Sequence, residues 1–235
     1  MNLLPEEPSF APWSVESLDN FVTALSNSKS TESTPKIIAI DGRSAGGKTS
    51  LAARVHHLIP NSVVVHTDDI PTSASWRGSE AQKTILADPI PPDASFFDWT
   101  DRVIENLFKP FLASQPIRYC PESWDDWNRG EGAIEIPAGC PALILEGVGA
   151  GKRELDTFVH KSVWIQSDFD LAKTRGLARE GESEAGWNRF EEREIPFLAS
   201  QKSWERADFV VCSTPETKHS ADEIAVSSQT PLPKS

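Results

Sequence analysis

Residues 42–49 read G-R-S-A-G-G-K-T and match the pattern G-x-x-x-x-G-K-[ST]. The match lies between the apolar run at residues 37–40 and a helix-forming segment at residues 50–55. Glycines let such a turn curl so that successive backbone N–H groups point inward and bind phosphate oxygens at a helix N-terminus. We therefore expect a nucleoside triphosphate to contact Gly42, Arg43, Ser44, Ala45, Gly46, Gly47, Lys48, Thr49 and Ser50.

Two side chains of this phosphate loop carry its chemistry. Lys48 is expected to reach the β- and γ-phosphates, and the Thr49 hydroxyl is expected to be a ligand of Mg²⁺. A plain glycine turn is the alternative, and the strand before the loop and the helix after it count against that alternative.

Two aspartates follow the next apolar run, Val63 to Val65. In parallel α/β sheets the ligand crevice lies at the carboxyl ends of the strands, so Asp68 and Asp69 are expected beside the phosphate loop. A carboxylate there could accept a proton from an attacking hydroxyl or hold Mg²⁺. We expect at least one of the pair to do so, and Asp69 is the candidate for capping the following turn.

Glu146 ends a third apolar run, Leu143 to Leu145. An acidic residue at such a place commonly binds Mg²⁺ or its water shell in phosphate-loop proteins. The alternative is a partly solvated glutamate at a strand end. His66, His56 and His57 have no ligand or triad partner at a characteristic spacing, so we interpret them as structural.

A basic segment and an acidic, aromatic segment complete the set of candidates. Arg175 and Arg179 share one face of a predicted helix at residues 170–179, where they could fold over a triphosphate. A solvated, salt-bridged helix is the alternative.

Eight tryptophans are many for 235 residues, and four of them lie between residues 76 and 127. The tryptophans that have aspartate neighbours could stack on a base while the aspartates bind sugar hydroxyls, or these tryptophans could pack in the core. Trp164 lies within a predicted strand and is expected in the core.

Apolar runs that alternate with helical segments predict an α/β fold with a parallel five-stranded sheet flanked by helices. The predicted strands are residues 36–41, 62–66, 141–146, 162–166 and 208–212. Further helices are predicted at residues 98–112 and 184–200, and residues 117–120 are predicted to pair with 133–136. Residues 1–35 are expected to hold a helix, at 12–25, and a linker. Residues 36–212 then form the main domain, and 213–235 a disordered tail.

Composition limits the classes of partner. The net charge of −12 argues against a large nucleic-acid interface. Cys120, Cys140 and Cys212 are too sparse for a disulfide framework or a zinc site. No apolar run approaches membrane-spanning length, so we expect a cytoplasmic protein that binds neither membrane nor nucleic acid. The N-terminal helix is a candidate for covering the sheet or for forming a homo-oligomer.

Taken together, these motifs resemble those of the uridine kinase and phosphoribulokinase group of phosphate-loop kinases, most closely those of bacterial uridine kinase-like proteins. The matching pieces, in family order, are I-A-I-D-G at 38–42, G-K-T at 47–49, Thr67-Asp68, Tyr119, L-E-G at 145–147, the segment 168–180 and R-A-D-F-V-V at 206–211. Cys120 stands where the family has an aspartate, and Lys173 and Gly176 stand where lid arginines are common.

The resemblance implies a P-loop NTPase fold with a small acceptor-side insertion and a helical lid. It implies Mg²⁺ and ATP as cofactors and a small-molecule acceptor whose hydroxyl is phosphorylated. Asp68 would be the base, with Thr49 and Glu146 on Mg²⁺ and Arg175 and Arg179 in the lid. The acceptor-site candidates are Asp69, Asp98, Tyr119, Trp124 and Asp125. A pantothenate-like acceptor and a non-catalytic nucleotide-binding protein are the alternatives.

Overall fold

The computed structural model describes residues 1–26, 35–72, 95–121, 133–178, 183–214 and 219–228. Its strands, in chain order, are β1 (Trp13–Ser17), β2 (Lys36–Gly42), β3 (Val63–His66), β4 (Ile117–Tyr119), β5 (Ile134–Ile136), β6 (Ala142–Glu146), β7 (Lys161–Gln166), β8 (Phe209–Cys212) and β9 (Glu223–Ser227). Its α-helices are α1 (Leu18–Ser26), α2 (Lys48–Leu58), α3 (Thr100–Val103, Ile104–Phe108 and Lys109–Leu112, the middle segment with π geometry), α4 (Phe169–Leu177), α5 (Glu184–Gln201) and α6 (Ser203–Arg206).

The five predicted strands form the parallel centre of the sheet, in the order β8-β7-β2-β6-β3. Their apolar runs are buried on both faces, and the four residues Ile37 to Ile40 have no exposed surface. This is the burial expected when helices cover both sides of a parallel sheet. Ile40 and His66 are both in register with Glu146, so β2, β6 and β3 end at the same edge.

The sheet has seven strands in the described residues, two more than predicted. Strand β9 lies in the segment that was predicted to be disordered, and that prediction is wrong for Glu223–Ser227. Its central residues, Ile224, Ala225 and Val226, are buried against the sheet. Strand β1 replaces the first turns of the predicted N-terminal helix, because Trp13–Ser17 pairs antiparallel with β9. Only the second half of that prediction, α1, is helical.

Helices cover both faces of the sheet. Helices α1 and α2 pack on one face, where Phe21 and Leu25 are fully buried, so α1 covers the sheet as one of the two alternatives proposed. The apolar side of α3 packs on the other face together with the β4–β5 hairpin. The two segments pair as predicted, and the structure shows that they are antiparallel, with Ile117 opposite Ile136.

A third apolar cluster joins the N-terminal segment to α5 and α6. Trp164 of β7 lies at its centre, is 1% exposed and contacts Trp204 edge to face, so it is a core residue as predicted. Within the described ranges, no helix is long and apolar enough to cross a membrane.

Candidate active site

The phosphate loop turns sharply between β2 and α2. Its backbone is left-handed at Ala45, where φ is 55°, and at Gly47, where φ is 102°. Helix α2 begins directly after this turn, so its N-terminal amides lie at the end of the loop, which is the arrangement that binds phosphate. Lys48 is 8% exposed, and its Nζ donates to the carbonyl oxygen of Arg43 at 2.8 Å. The Lys48 side chain therefore folds back across the phosphate loop to its N-terminal part.

Asp41, immediately before the loop, ties it to a second glycine-rich turn. Its carboxylate accepts backbone hydrogen bonds from Gly42, Gly149 and Gly151 at 2.7, 2.8 and 3.0 Å. Burial raises the pKa of Asp41, although a hydrogen bond from Ser203 and those from the three amides act in the opposite direction. The turn after β6 is therefore held against the phosphate loop.

Glu146 lies at the centre of the carboxyl edge. Thr49 Oγ1 donates to its Oε1 at 3.1 Å, and His66 Nδ1 forms a hydrogen bond with the same oxygen. Its Oε2 is buried and has no hydrogen-bond partner among the described residues. Burial acts to raise the pKa of Glu146, but the His66 hydrogen bond and the charge of Lys48 outweigh it and lower that pKa. The hydrogen bond with Glu146 in turn raises the pKa of His66.

Asp68 lies beside Glu146 in a single 3₁₀ turn, Thr67–Asp69. Gly147 makes this closeness possible, because a Cβ at that position would lie 1.7 Å from Thr67 Oγ1. Asp68 has solvent-exposed surface, yet the protein around its carboxylate removes enough solvent to raise its pKa. Lys48 opposes this shift, whereas the neighbouring charges of Glu146 and Asp69 add to it.

The side chains at this edge fit Mg²⁺. Carboxylate and hydroxyl oxygens are the ligands that Mg²⁺ prefers, and it is commonly held by one or two of them together with substrate phosphates. The unsatisfied Oε2 of Glu146 is a buried acceptor next to the Thr49 hydroxyl. The described residues contain no cluster of three His, Cys, Asp or Glu side chains arranged for a metal ion. Thr49 and Glu146 are the side chains that could hold Mg²⁺ here, with the Asp68 carboxylate beside them, and phosphate oxygens would complete the set of ligands.

The Arg43 side chain lies away from the expected phosphate position. Arg43 is 1% exposed; its Nη2 donates to Glu191 Oε1 at 2.8 Å, and its guanidinium carbon lies 3.8 Å from the centre of the Phe169 ring. The adjacent amide of Ser44 donates to Glu194 Oε1 at 2.5 Å. Both glutamates belong to α5, so this helix is joined to the phosphate loop by two buried carboxylates.

The segment predicted as the lid is a helix packed against its neighbour. Arg175 is exposed on α4, while Arg179 lies outside the described residues. Lys173 donates to Asn188 of α5 at 2.8 Å. A Cβ at Gly176 would lie 1.8 Å from Trp187 Cζ3, so the absence of a side chain allows the two helices to meet.

The structure describes only some of the residues that were predicted to bind the acceptor. Asp98 is exposed before α3, and Tyr119 is half-buried in β4. Asp69 shares the turn of Asp68, and Trp124 and Asp125 lie outside the described residues. Trp99 is 1% exposed and belongs to the core, where Lys152 Nζ lies 4.3 Å from the centre of its ring.

Four residues of this region were not found by sequence reasoning: His66, Lys152, Glu191 and Glu194. His66 had been interpreted as structural, although its position at a strand end next to Asp68 was a usable signal. The two glutamates belong to an acidic helix whose charges suggested solvent exposure. No local pattern indicates their partners, because Glu194 contacts a residue 150 positions away in the chain.

Comparison with known proteins identifies the fold. No family model and no curated protein matches the sequence. Among solved structures, a possible uridine kinase from Bacillus stearothermophilus matches with a TM-score of 0.50 and 16% identity, over 82% of this chain and 95% of that one. A putative fructose transport system kinase from Silicibacter sp. TM1040 matches with a TM-score of 0.50 and 15% identity, over 81% and 93%. The chain therefore has the α/β fold of the phosphate-loop kinases.

Proposed function

We propose that this protein is a Mg²⁺- and ATP-dependent phosphotransferase that acts on a hydroxyl group of a small molecule. The observation that carries the proposal is the convergence of Lys48, Thr49, Asp68 and Glu146 at one edge of the sheet. A nucleotide-binding loop alone would need only the first two of these side chains. The two carboxylates beside them supply the groups that transfer to a hydroxyl requires.

Each side chain has a separate role in this proposal. The loop amides and Lys48 bind and orient the phosphates, and Asp68 accepts the proton of the acceptor hydroxyl. Thr49 and Glu146 would hold Mg²⁺, which, when bound, neutralises charge on the transferred phosphoryl group. His66 orients Glu146 through its hydrogen bond.

The acceptor that we propose is a pyrimidine nucleoside, uridine or cytidine. The resemblance of the motifs to uridine kinases supports this choice, and so does the name of one similar structure, a possible uridine kinase. The exposed carboxylate of Asp98 is suited to hydrogen bonds with sugar hydroxyls, whereas its aromatic neighbour Trp99 is buried in the core. A phosphorylated sugar would require additional cations there.

The test is the Mg²⁺-dependent release of ADP from ATP with and without a panel of nucleosides, pantothenate and simple sugars. Asp68→Asn is the test variant, and Asp19→Asn, the same change at an exposed position on α1, is its matched control. Lys48→Ala tests the loop and is expected to abolish ATP binding or turnover.

The outcomes separate the alternatives. Stimulation by uridine or cytidine that disappears in Asp68→Asn supports the proposal, whereas stimulation by pantothenate would redirect it to another alcohol. ATP binding without stimulation by any acceptor would favour a nucleotide-controlled binding protein. Full activity of Lys48→Ala would contradict the phosphate-binding role of the loop.

A further inference from the structure

Arg43, the second residue of the phosphate loop, contacts three helices. Its backbone oxygen accepts a hydrogen bond from Nζ of Lys48, the first residue of α2, at 2.8 Å. Its Nη2 donates to Oε1 of Glu191, on α5, at 2.8 Å. Its guanidinium carbon lies 3.8 Å from the centre of the ring of Phe169, the first residue of α4. The lysine expected to bind the phosphates therefore shares one partner with the two helices beside the loop.

The contacts of the Arg43 side chain depend on one another. Arg43 is 1% exposed, and its Nε and Nη1 are buried without a hydrogen-bond partner among the described residues. A buried guanidinium is costly unless a carboxylate and an aromatic face offset its loss of water. Glu191 and Phe169 supply these two groups from different helices. The cation is therefore best stabilised when α4 and α5 both lie against the loop.

One face of α5 contacts both α4 and the loop. The buried residues of this helix recur at intervals of four, three and four, which places them on one side: Trp187, Glu191, Glu194 and Leu198. Trp187 packs so closely on α4 that a Cβ at Gly176 would lie 1.8 Å from its Cζ3. Glu194 Oε1 accepts the Ser44 amide hydrogen at 2.5 Å. Movement of α4 along this face would therefore disturb the contacts of the loop as well.

We propose that Arg43 is a positioning residue that fixes α4, the helix predicted as the lid, to the phosphate loop. Phosphates that bind the loop order its backbone, and the contacts of Arg43 transmit this order to α4. The inference rests on the proposed nucleotide-binding function. Its consequence is that Arg175, which α4 carries, is held in place while a nucleotide is bound.

Hydrogen exchange of the α4 amides at residues 172–177 tests this coupling, because their exchange requires the helix to open. The exchange rates are measured with and without Mg²⁺ and ADP, which binds the loop without phosphoryl transfer. The ratio of the two rates is the readout for each variant, so a change in the basal stability of α4 cancels. The Kd of ADP, measured by calorimetry, and the melting temperature are recorded alongside.

Two variants remove the same contact from opposite sides. Arg43→Lys keeps a positive charge for Glu191 but lacks the planar group that lies over the ring. Phe169→Leu removes the ring and leaves the sequence of the loop intact. Arg153→Lys is the matched control for the first variant, at an exposed arginine. Leu171→Ala is the control for the second, because this side chain is exposed on the same helix.

In the wild type, ADP is expected to slow exchange of the α4 amides by about fivefold or more, the lower end of typical coupling between sites. Arg43→Lys and Phe169→Leu are each expected to abolish this slowing while ADP still binds. The double variant should behave like either single variant, because both changes remove one shared contact. Both controls should keep the wild-type ratio.

A merely structural role of Arg43 would lower the melting temperature and leave the ratio unchanged, and that result would overturn the inference. If Arg43→Lys no longer binds ADP, Phe169→Leu decides the question, since its loop is unaltered. A wild-type ratio in Phe169→Leu would then refute the role of Arg43.

The same measurements separate this inference from the proposed function. A wild-type protein that binds neither ADP nor ATP would contradict both of them. A wild-type protein that binds ADP without any change in the exchange of α4 would contradict only the role of Arg43.

Discussion

Thr49 Oγ1 lies 3.1 Å from Glu146 Oε1, which joins the first turn of α2 to the end of β6. The two residues are 97 positions apart in the chain. They meet because β2 and β6 are parallel neighbours whose carboxyl ends lie at one edge. The pair therefore connects the phosphate loop to the acidic side of the site, where Mg²⁺ is proposed to bind.

Glu146→Gln is expected to raise the Mg²⁺ concentration needed for half-maximal activity by about 10–100-fold, the range seen when groups that tune a metal site are removed. The amide can still accept the Thr49 hydrogen bond, so the change removes charge more than shape. Mg²⁺-dependent ATP binding, measured without acceptor, provides a readout apart from turnover. Glu135→Gln, an exposed glutamate on β5, is the control. An unchanged Mg²⁺ dependence would remove Glu146 from the metal site.

Asp68→Asn is expected to lower kcat by about 10²–10⁴, the contribution typical of a general base, while the Kd of ATP changes little. The raised pKa of Asp68 gives this prediction a pH signature. A base must be deprotonated to act, so wild-type kcat falls as pH drops through this pKa, which lies above the ordinary aspartate value of about 4. The variant should lack that acidic limb. A variant that retains both its rate and the limb would show that another group takes the proton.

The phosphate loop, the five parallel strands and the β4–β5 hairpin could be predicted because each is encoded locally. A short, β-branched apolar run such as Ile37 to Ile40 favours a strand covered on both faces, and all four residues are fully buried. The loop pattern fixes where its helix begins. Asp68 and Glu146 followed from the rule that ligands bind at the carboxyl ends of parallel strands.

The two strands that were not predicted, β1 and β9, form because they pair with each other, and no local sequence pattern indicates either of them. Trp13–Ser17 reads as the start of an amphipathic helix, and Glu223–Ser227 is short and surrounded by polar residues. Each becomes a strand because it pairs with the other, with Val15 opposite Ala225. Such pairing between distant segments is a tertiary effect that overrides local propensity.

The sequence does not reveal the buried charged residues for the same reason, because their partners are distant in the chain. Glu191 and Glu194 are acidic positions on a helix, and acidic helix positions are usually solvated. They are buried because they contact Arg43 and Ser44, which lie 148 and 150 positions away in the chain. His66 is similar, since its partner Glu146 is 80 positions away.

Gly176→Ala is expected to destabilise the protein by about 1–3 kcal/mol, the usual cost of overpacking. The added methyl group would lie 1.8 Å from Trp187 Cζ3, so α4 and α5 must separate. Urea unfolding measures the change, and Thr174→Ala on the exposed side of α4 is the control. Adding Trp187→Leu should make the Gly176→Ala change cost less than it does in the wild type. Equal costs in both backgrounds would show that the ring is not the obstacle.

Lys152 provides a pH-dependent prediction for stability. It is 4% exposed, its Nζ donates to Thr100 Oγ1 at 2.8 Å, and it faces the rings of Trp99 and Phe197. Burial lowers its pKa to about 8, although the acidic residues nearby, Glu154, Asp98, Asp41 and Asp101, oppose this shift. The folded state therefore releases the proton of Lys152 at a lower pH than the unfolded chain does.

The sign of the effect follows from proton binding. Between pH 8 and the unfolded pKa near 10.5, the unfolded chain binds more protons at this lysine, so the contribution of Lys152 to the free energy of unfolding rises with pH. The rise from pH 7 to pH 10 is expected to be about 2–3 kcal/mol, since one pKa unit corresponds to about 1.4 kcal/mol. Lys152→Met should lack this contribution.

The measurement is urea unfolding of the wild type, Lys152→Met and Lys109→Met at pH 7, 8, 9 and 10. Lys109 is an exposed lysine on α3, so its variant controls for the loss of one surface charge and for all other groups that titrate in this range. Relative to that control, Lys152→Met should lose stability against the wild type as pH rises. A difference between the two variants that stays constant over the four pH values would show that Lys152 keeps an ordinary pKa, and that its ammonium is solvated well enough to remain charged between the rings.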